Sequence, residues 1–322
     1  MAMIENLIKN EVFLNEYEIS KPYIYKNLTV FLLCGEDKVK GKSFWTLQEA
    51  MEQEKVIVHE TGSVNRLEIE SLLLDEEIFI QSGDIVKGGK QDRVFAFDFI
   101  VPAKSGKMPI DAFCVEKNRW NQRGKESSTR FTTSSDRAVT RDLNISIKHT
   151  PSQSAVWDTI GNTQRFLTGS LGRNVESKES ASSLQLTLED PSVKQATTEY
   201  LDNLSGVIDN HFSVLGYVVA INGKLTNSDI YICNGLFRKL WPKLLKAAAV
   251  EAIIHKQETV FKPEISVNEV KEFLLNKPLP QVSEKVVSSR VKMTTQEFID
   301  KIRFDTMDLE NQTCVHTNFV TK

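Results

Sequence analysis

The chain is short of most features by which a sequence announces its chemistry. Four cysteines in 322 residues (Cys34, Cys114, Cys233, Cys314) stand far apart with no C-x-x-C pair, which excludes a disulfide framework and a cysteine zinc site of ordinary spacing. No G-x-G-x-x-G, no G-x-S-x-G, no repeat and no heptad array occurs. His59-Glu60 begins like a zinc-protease motif, but position 63 is Ser, so the second histidine is missing. His149, His211, His255 and His316 are isolated and read as structural or solvent-facing, so no metal site is assigned.

Long apolar runs are also missing. Leu28–Cys34, Ile78–Ile80, Phe95–Val101 and Val214–Ile221 all fall far below the roughly 18 residues of a membrane-spanning helix, so no membrane partner is expected. The first ten residues hold Glu5 and Lys9 in a short apolar pattern, without the basic, apolar and small-residue regions of a signal peptide. A cytoplasmic setting with reduced thiols follows as the expectation. One-sided charge is absent too: 40 Lys+Arg against 43 Asp+Glu leave −3, which argues against a general polyanion binder. What is present is ordinary globular composition, 40% hydrophobic and 26% charged, with a length suited to two domains or one large one.

Along the chain, residues 1–26 read as a helical or irregular lead-in. Leu28–Leu33 reads as a strand, and Thr46–Glu54 as a helix with Thr46 as N-cap. Val56–His59, Val64–Leu74, Glu77–Gln81, Arg93–Val101 and Pro109–Glu116 continue a β pattern, the last two as a hairpin across Lys104–Lys107. Asn121–Pro151 is polar, lacks a sustained period and reads as a long loop. Helices are expected over Ser154–Leu167, Ser192–Leu204, Leu236–Ile253 (started or kinked by Pro242) and Ser266–Leu275. Asn222-Gly223 between Ser213–Ile221 and Leu225–Ile232 marks a type I′ hairpin. Val282–Val287 and Thr313–Val320 close the chain as strands. The expected fold is therefore α+β, with an N-terminal antiparallel β-rich sandwich or barrel-like core and a C-terminal half of helices plus a β-hairpin. The expected parts are residues 20–120 (β-rich), 121–150 (basic loop), 151–262 (helix, hairpin, helix) and a 263–322 extension.

Most candidate chemistry lies in Ser82–Trp120. Gly88-Gly89-Lys90 suggests a loop whose N–H groups approach a phosphate, but it is not a P-loop, since the spacing from Gly83 is wrong, Gln91 replaces Ser or Thr, and a strand follows. The plainer reading is a turn with positive-φ glycines and an Asp92–Arg93 ion pair. In Cys114-Val115-Glu116-Lys117-Asn118-Arg119-Trp120, Cys114 and Glu116 share a strand face. Glu116 beside Arg119 suits a general base, a metal ligand or an orienting group, and Trp120 suits stacking. Here the plainer reading is a Glu116–Arg119 pair closing a strand end. If the hairpin holds, Gln91-Asp92-Arg93 and Glu116–Trp120 converge at one end of a sheet. Residues 117–148 add eight Lys/Arg (Lys117, Arg119, Arg123, Lys125, Arg130, Arg137, Arg141, Lys148) against Glu126, Asp136 and Asp142, a local excess that suits an anionic nucleotide or RNA, or simply a solvated loop.

These residues resemble the domain family named for its association with ADP-ribosylglycohydrolases and rhodanese-related phosphatases, known from bacteria. The landmarks are Tyr25-Lys26-Asn27-Leu28, Thr46-Leu47-Gln48-Glu49-Ala50, Gly88-Gly89-Lys90-Gln91-Asp92-Arg93, Cys114-Val115-Glu116 with Arg119-Trp120, Gln153 with Val156-Trp157, and the Asn222-Gly223 hairpin feeding the Leu244-Leu245 helix, over roughly residues 20–260. Asn118 stands where the family pattern has glycine, and asparagine also tolerates positive φ. The family name rests on gene neighbourhood and implies a role near NAD-derived or ADP-ribosyl metabolites. It specifies neither reaction nor substrate.

The leading expectation is a protein that binds, and in a stronger form hydrolyses, a small nucleotide-type anion such as ADP-ribose. Arg93 and Arg119 would clamp phosphate with Gly88, Gly89 and Gln91. Glu116 or Asp92 would act as base or as ligand to a divalent metal, and Trp120 would stack. The competing expectation is a non-catalytic interaction module in which the same motifs stabilise the fold. RNA binding through residues 117–148 is the weakest.

Overall fold

β-Branched and aromatic runs separated by turn residues build mostly antiparallel sheets here, and helices pack beside them, so the chain is an α+β protein. The computed structural model describes residues 13–322, apart from 14, 40, 121, 125, 139, 150, 257–263 and 276–279. Half of the lead-in expected over residues 1–26 thus falls outside the described residues, and its described end holds the short strands Glu18–Ile19 and Tyr23–Tyr25 instead. Pro278 and Leu279 also lie outside them.

Chain contacts divide into two units. The first takes the described part of Met1–Lys42 with Asp202–Trp241 and His255–Lys322. Its sheet has nine strands in the order Glu18–Ile19, Leu28–Cys34, Val214–Ile221, Lys224–Tyr231, Thr313–Thr321, Lys301–Asp308, Val291–Glu297, Gln281–Val286, with Tyr23–Tyr25 also on Leu28–Cys34. The hairpin between Val214–Ile221 and Lys224–Tyr231 turns at Asn222 and Gly223 with φ of 52° and 74°, as a type I′ turn demands. Phe31, Val218, Ile230 and Phe319 form one buried cluster with Val270 and Phe273 of the Val267–Leu274 helix. Ser266 and Glu269 cap that helix reciprocally. Lys301–Asp308 and Val291–Glu297 are strands that apolar content does not announce: along the former Lys301, Asp305, Thr306 and Asp308 are buried beside Ile302 and Phe304, and along the latter Thr295 is buried beside Val291 and Met293.

The second unit joins Ser43–Leu201 to Pro242–Ile254. Six strands run Phe131–Arg137, Asp84–Gly88, Arg93–Phe95, Met108–Cys114, Arg66–Ser71, Val56–Ser63. An antiparallel bridge between His59 and Arg130 draws the two edges together, curling the sheet into a half-barrel. A smaller sheet holds Phe99–Val101, Glu77–Ile80 and Phe44–Thr46, the last two parallel to each other. Thr46 and Glu49 form the capping box of the helix Leu47–Glu52.

Three expectations change. Arg93–Val101 is two strands in different sheets, because the chain leaves the ladder at Ala96–Asp98, and Asp98 Oδ1 there accepts the Ser82 N–H at 2.7 Å. Asn121–Pro151 is no simple loop: it contains the Phe131–Arg137 strand and the Arg141–Lys148 helix, N-capped by Thr140. Mainly polar residues (Ser134, Asp136, Arg137) line the buried positions of that strand, which hides its period. Pro242 does not start its helix, which runs over Asn234–Ile254 with the proline inside it. Burial of Leu240, Trp241, Leu244, Leu245 and Ala249 around the proline outweighs one lost hydrogen bond.

Candidate functional site

The strand pair expected to gather the motif residues exists. Met108–Cys114 pairs antiparallel with Arg93–Phe95, with Cys114 opposite Arg93. This register carries Gln91 and Asp92, just before one strand, to the same end as Glu116 and Arg119, just after the other. The Asp92 carbonyl accepts the Val115 N–H at 3.0 Å, and the Glu116 carbonyl accepts Gln91 Nε2 at 2.8 Å, locking the two segments together. Asn118 takes φ of 71°, so asparagine supports the turn between Glu116 and Arg119.

At this end two carboxylates and two guanidiniums form a closed ion cluster. Asp92 and Glu116 are fully buried, and Arg119 and Arg123 are 9% and 7% exposed. Arg119 Nε donates to Glu116 Oε2 at 2.5 Å, and Arg119 Nη2 reaches Asp92 Oδ1 at 3.4 Å. Arg123 donates to Asp92 through Nη1 at 2.9 Å and Nη2 at 3.2 Å, and to Glu116 Oε1 at 3.3 Å. Its Nη2 also donates to the outer carboxylate Glu126 at 2.8 Å. Ser183 Oγ donates to Asp92 Oδ2 at 3.3 Å, the Asp92 N–H to Glu116 Oε2 at 3.3 Å, and the Gly88 N–H to Asp92 Oδ1 at 3.0 Å. Burial raises the Asp92 carboxyl above the usual aspartate range; Arg123 opposes the rise and the Glu116 charge adds to it. Burial disfavours the Arg123 charge, but its hydrogen bonds to Glu126 and Asp92 and the Asp92 charge outweigh it and hold the guanidinium above its ordinary value.

The glycine loop has a specific occupant. Gly88 and Gly89 have φ of 110° and 55°, conformations that suit glycine. Three successive N–H groups point at acceptors, as in an anion-binding nest, but those acceptors belong to the protein: Asp92 Oδ1 for Gly88, the Ser127 carbonyl for Gly89 at 2.9 Å, and Glu60 Oε2 for Lys90 at 3.2 Å. Arg93 is fully buried; its Nη1 donates to Gln91 Oε1 at 3.0 Å, and Glu60 lies 3.6 Å from Nη2. Trp120, 45% exposed, covers Arg93 and Lys90, whose charged ends lie 5.7 and 5.3 Å from its ring centroid.

Of these residues, Arg119 and Arg123 border an open surface. Arg119 and Arg123 line a groove of about 760 Å³ together with Lys117, Asn118, Gln122, Gly124 and residues 179–182. Asp92, Glu116, Arg93 and Trp120 do not line it. Arg119 Nη1 and Nη2 meet the Gly89 and Gly88 carbonyls at 3.4 Å, long for charge-assisted hydrogen bonds. Among the described residues no cluster of three or more His, Cys, Asp or Glu could hold a metal ion. The four cysteines are free thiols, and burial pushes Cys114, beside the cluster, up to about 11, far from a reactive thiolate.

Sequence reasoning brought Asp92, Glu116, Arg119, Gln91 and Arg93 to one place and missed three contributors. Arg123 reads in the sequence only as one cation of a basic stretch. Ser183 carries no signal, because it caps the five-residue helix Leu184–Leu188, which has no visible period. Gln153 reads in the sequence only as a landmark of the family resemblance. Its amide pairs with both backbone groups of Cys114, at 2.8 Å each, and so fixes the Gln153–Leu171 helix to the strand end.

Fold and site together define an α+β protein whose half-barrel ends in a buried carboxylate–guanidinium cluster beneath an open groove. The chain belongs to the ARG and Rhodanese-Phosphatase-superfamily-associated Protein domain family, whose family model matches residues 16–320. No curated protein and no solved structure matches it. No helix among the described residues is long and apolar enough to cross a membrane.

Proposed function

We propose that the chain binds a small nucleotide-type anion, such as ADP-ribose or an NAD-derived metabolite, in the groove over Arg119 and Arg123. One observation carries the reading: Arg119 and Arg123, paired with buried carboxylates, line an open groove together with the exposed Lys117. A guanidinium engages phosphate bidentately, and one already fixed in place loses little side-chain entropy on binding. Asp92 and Glu116 are then positioning residues. Hydrolysis of an ADP-ribosyl or phosphoester bond by either carboxylate, or metal ligation by it, would require a buried carboxylate to leave its guanidinium partner; an anion bound at Arg123 need displace only the outer carboxylate of Glu126, which Arg123 Nη2 reaches at 2.8 Å. The gene association in the family name is consistent with this ligand class.

The test is a thermal-shift titration with ADP-ribose, NAD and ADP, with and without divalent metal. A ligand at 100 times its Kd stabilises the native state by about 2.7 kcal/mol. Reversing the exposed rim charge with Lys117→Glu should weaken the response without lowering the ligand-free melting temperature. No shift with any of these compounds at millimolar concentration would end the proposal.

A second reading, a non-catalytic interaction module, draws support from the glycine loop, whose N–H groups and neighbouring carboxylates are spent on each other. It expects the Lys117→Glu protein to behave as the parent toward every nucleotide.

A further inference from the structure

We infer that the base of the bound nucleotide is received by Trp157, not by the more exposed Trp120. The inference rests on the anion-groove reading and specifies the ligand further, as a nucleoside diphosphate or its ester.

A second cavity, about 420 Å³, is lined by Lys117, Trp157, Asp158, Ile160, Gln164 and Ser182 among others. It shares Lys117 and Ser182 with the guanidinium groove. Ser182 Oγ donates to the Lys117 carbonyl at 2.5 Å, so these two residues form a narrow saddle between the basins. One basin offers Arg119 and Arg123, and the other an indole. The saddle carries the ammonium of Lys117, which lies 5.7 Å from the Trp157 ring centroid.

The Trp157 indole nitrogen is buried and has no hydrogen-bond partner among the described residues, an uncommon state for an indole N–H. Trp120 has no comparable position: it covers Lys90 and Arg93 and does not line the guanidinium groove. A ligand that crosses the saddle therefore needs two unlike ends. Phosphate oxygens suit Lys117, Arg119 and Arg123, and a flat heteroaromatic ring suits the indole basin. Asp158, exposed at the edge of that basin, can accept hydrogen bonds from a ribose diol or an exocyclic amine. Inorganic phosphates fill only the first end. Phosphate bound at Lys117 would also draw its ammonium off the indole face and free that face for stacking.

Calorimetry with pyrophosphate and ADP as probes tests this on the full chain. Stacking of a base on an aromatic side chain supports an ADP preference over pyrophosphate of roughly tenfold or more. Trp157→Leu should bring that ratio to near one, Trp157→Phe should retain most of it, and Trp120→Leu should leave it in place. Melting temperatures of the three variants verify folding. If the parent protein binds pyrophosphate and ADP equally, or if Trp157→Leu keeps the preference, the base does not sit at Trp157, while the anion groove stands. If the parent binds neither probe, groove and inference fall together.

Discussion

Glu116→Gln removes one negative charge from a cluster whose Asp92, Glu116, Arg119 and Arg123 charges cancel, and it leaves the side chain's shape almost unchanged. Glu116 Oε2 accepts from Arg119 Nε at 2.5 Å, and Oε1 accepts from Arg123 Nη1 at 3.3 Å, with no exposure to solvent. The glutamine can turn its carbonyl toward one guanidinium only, and its NH2 then faces the other. Arg119 then keeps only the 3.4 Å contact to Asp92 as counter-charge, a loss of about 3–5 kcal/mol for a broken buried pair. For a folding unit of this size each kcal/mol corresponds to roughly 2–4 °C, so the melting temperature should fall by about 6–20 °C. Differential scanning calorimetry reads this directly. Pairing Glu116→Gln with Arg119→Gln restores neutrality, so the double variant should be more stable than the sum of the singles by about 1–3 kcal/mol. A Glu116→Gln protein melting within about 2 °C of the parent, or a cycle additive to about 0.5 kcal/mol, would refute the cluster's structural role. Glu116 would then be a poised group whose purpose lies in the groove.

Other perturbations test neighbouring parts. Glu251 on the Asn234–Ile254 helix is 5% exposed, and burial raises its carboxyl to about 7 against an ordinary 4.5, opposed by the Arg141 N–H and charge. The native state holds this proton more tightly than the unfolded chain. Stability should therefore decline as pH rises from about 4.5 to 7, by up to about 3 kcal/mol, and Glu251→Gln should flatten that slope in urea titrations at pH 5 and 8. At Gly89, an added Cβ would meet the Phe131 ring at 2.5 Å and Glu60 Oε2 at 2.9 Å while keeping φ of 55°. Overpacking and the left-handed conformation together should make Gly89→Ala cost about 2–5 kcal/mol by denaturant midpoint. In the nine-stranded sheet, Arg290 grips the buried Asp308 with two hydrogen bonds, 2.9 and 3.0 Å. Arg290→Ala should cost about 3–5 kcal/mol in the same assay, and Arg290→Lys should recover only part, since an ammonium cannot reproduce the fork.

How much of this was legible depended on whether the signal was local. The Thr46 cap was, because Thr46 and Glu49 satisfy each other within four residues. The Asn222-Gly223 turn was, because two adjacent positive φ values tolerate few residue pairs. The strands Phe131–Arg137 and Lys301–Asp308 were not, because their polar residues are buried by partners far along the chain, and periodicity read from hydrophobicity does not register a buried Asp136 or Asp305. The same limit governs the site. Spacing and strand pairing were enough to bring Asp92 to Glu116, a convergence that sequence separation alone would hide.

Which atoms of that convergence face solvent was beyond any spacing argument. A carboxylate beside a guanidinium reads identically as a catalytic base or as a buried counter-ion, and burial separates the two. Here Asp92 and Glu116 are kept away from the groove, and Arg119 and Arg123 line it. The near-neutral total charge accordingly understates what the surface can offer an anion. Arg119 and Arg123 are compensated from below, whereas Lys117 is exposed at the rim, so electrostatic attraction should come mainly from Lys117 and directional recognition from the two guanidiniums. Salt should then weaken capture chiefly through the exposed ammonium, and the Lys117→Glu protein should show the shallower salt dependence of nucleotide binding. Equal salt dependence in parent and variant would place the attracting charge elsewhere.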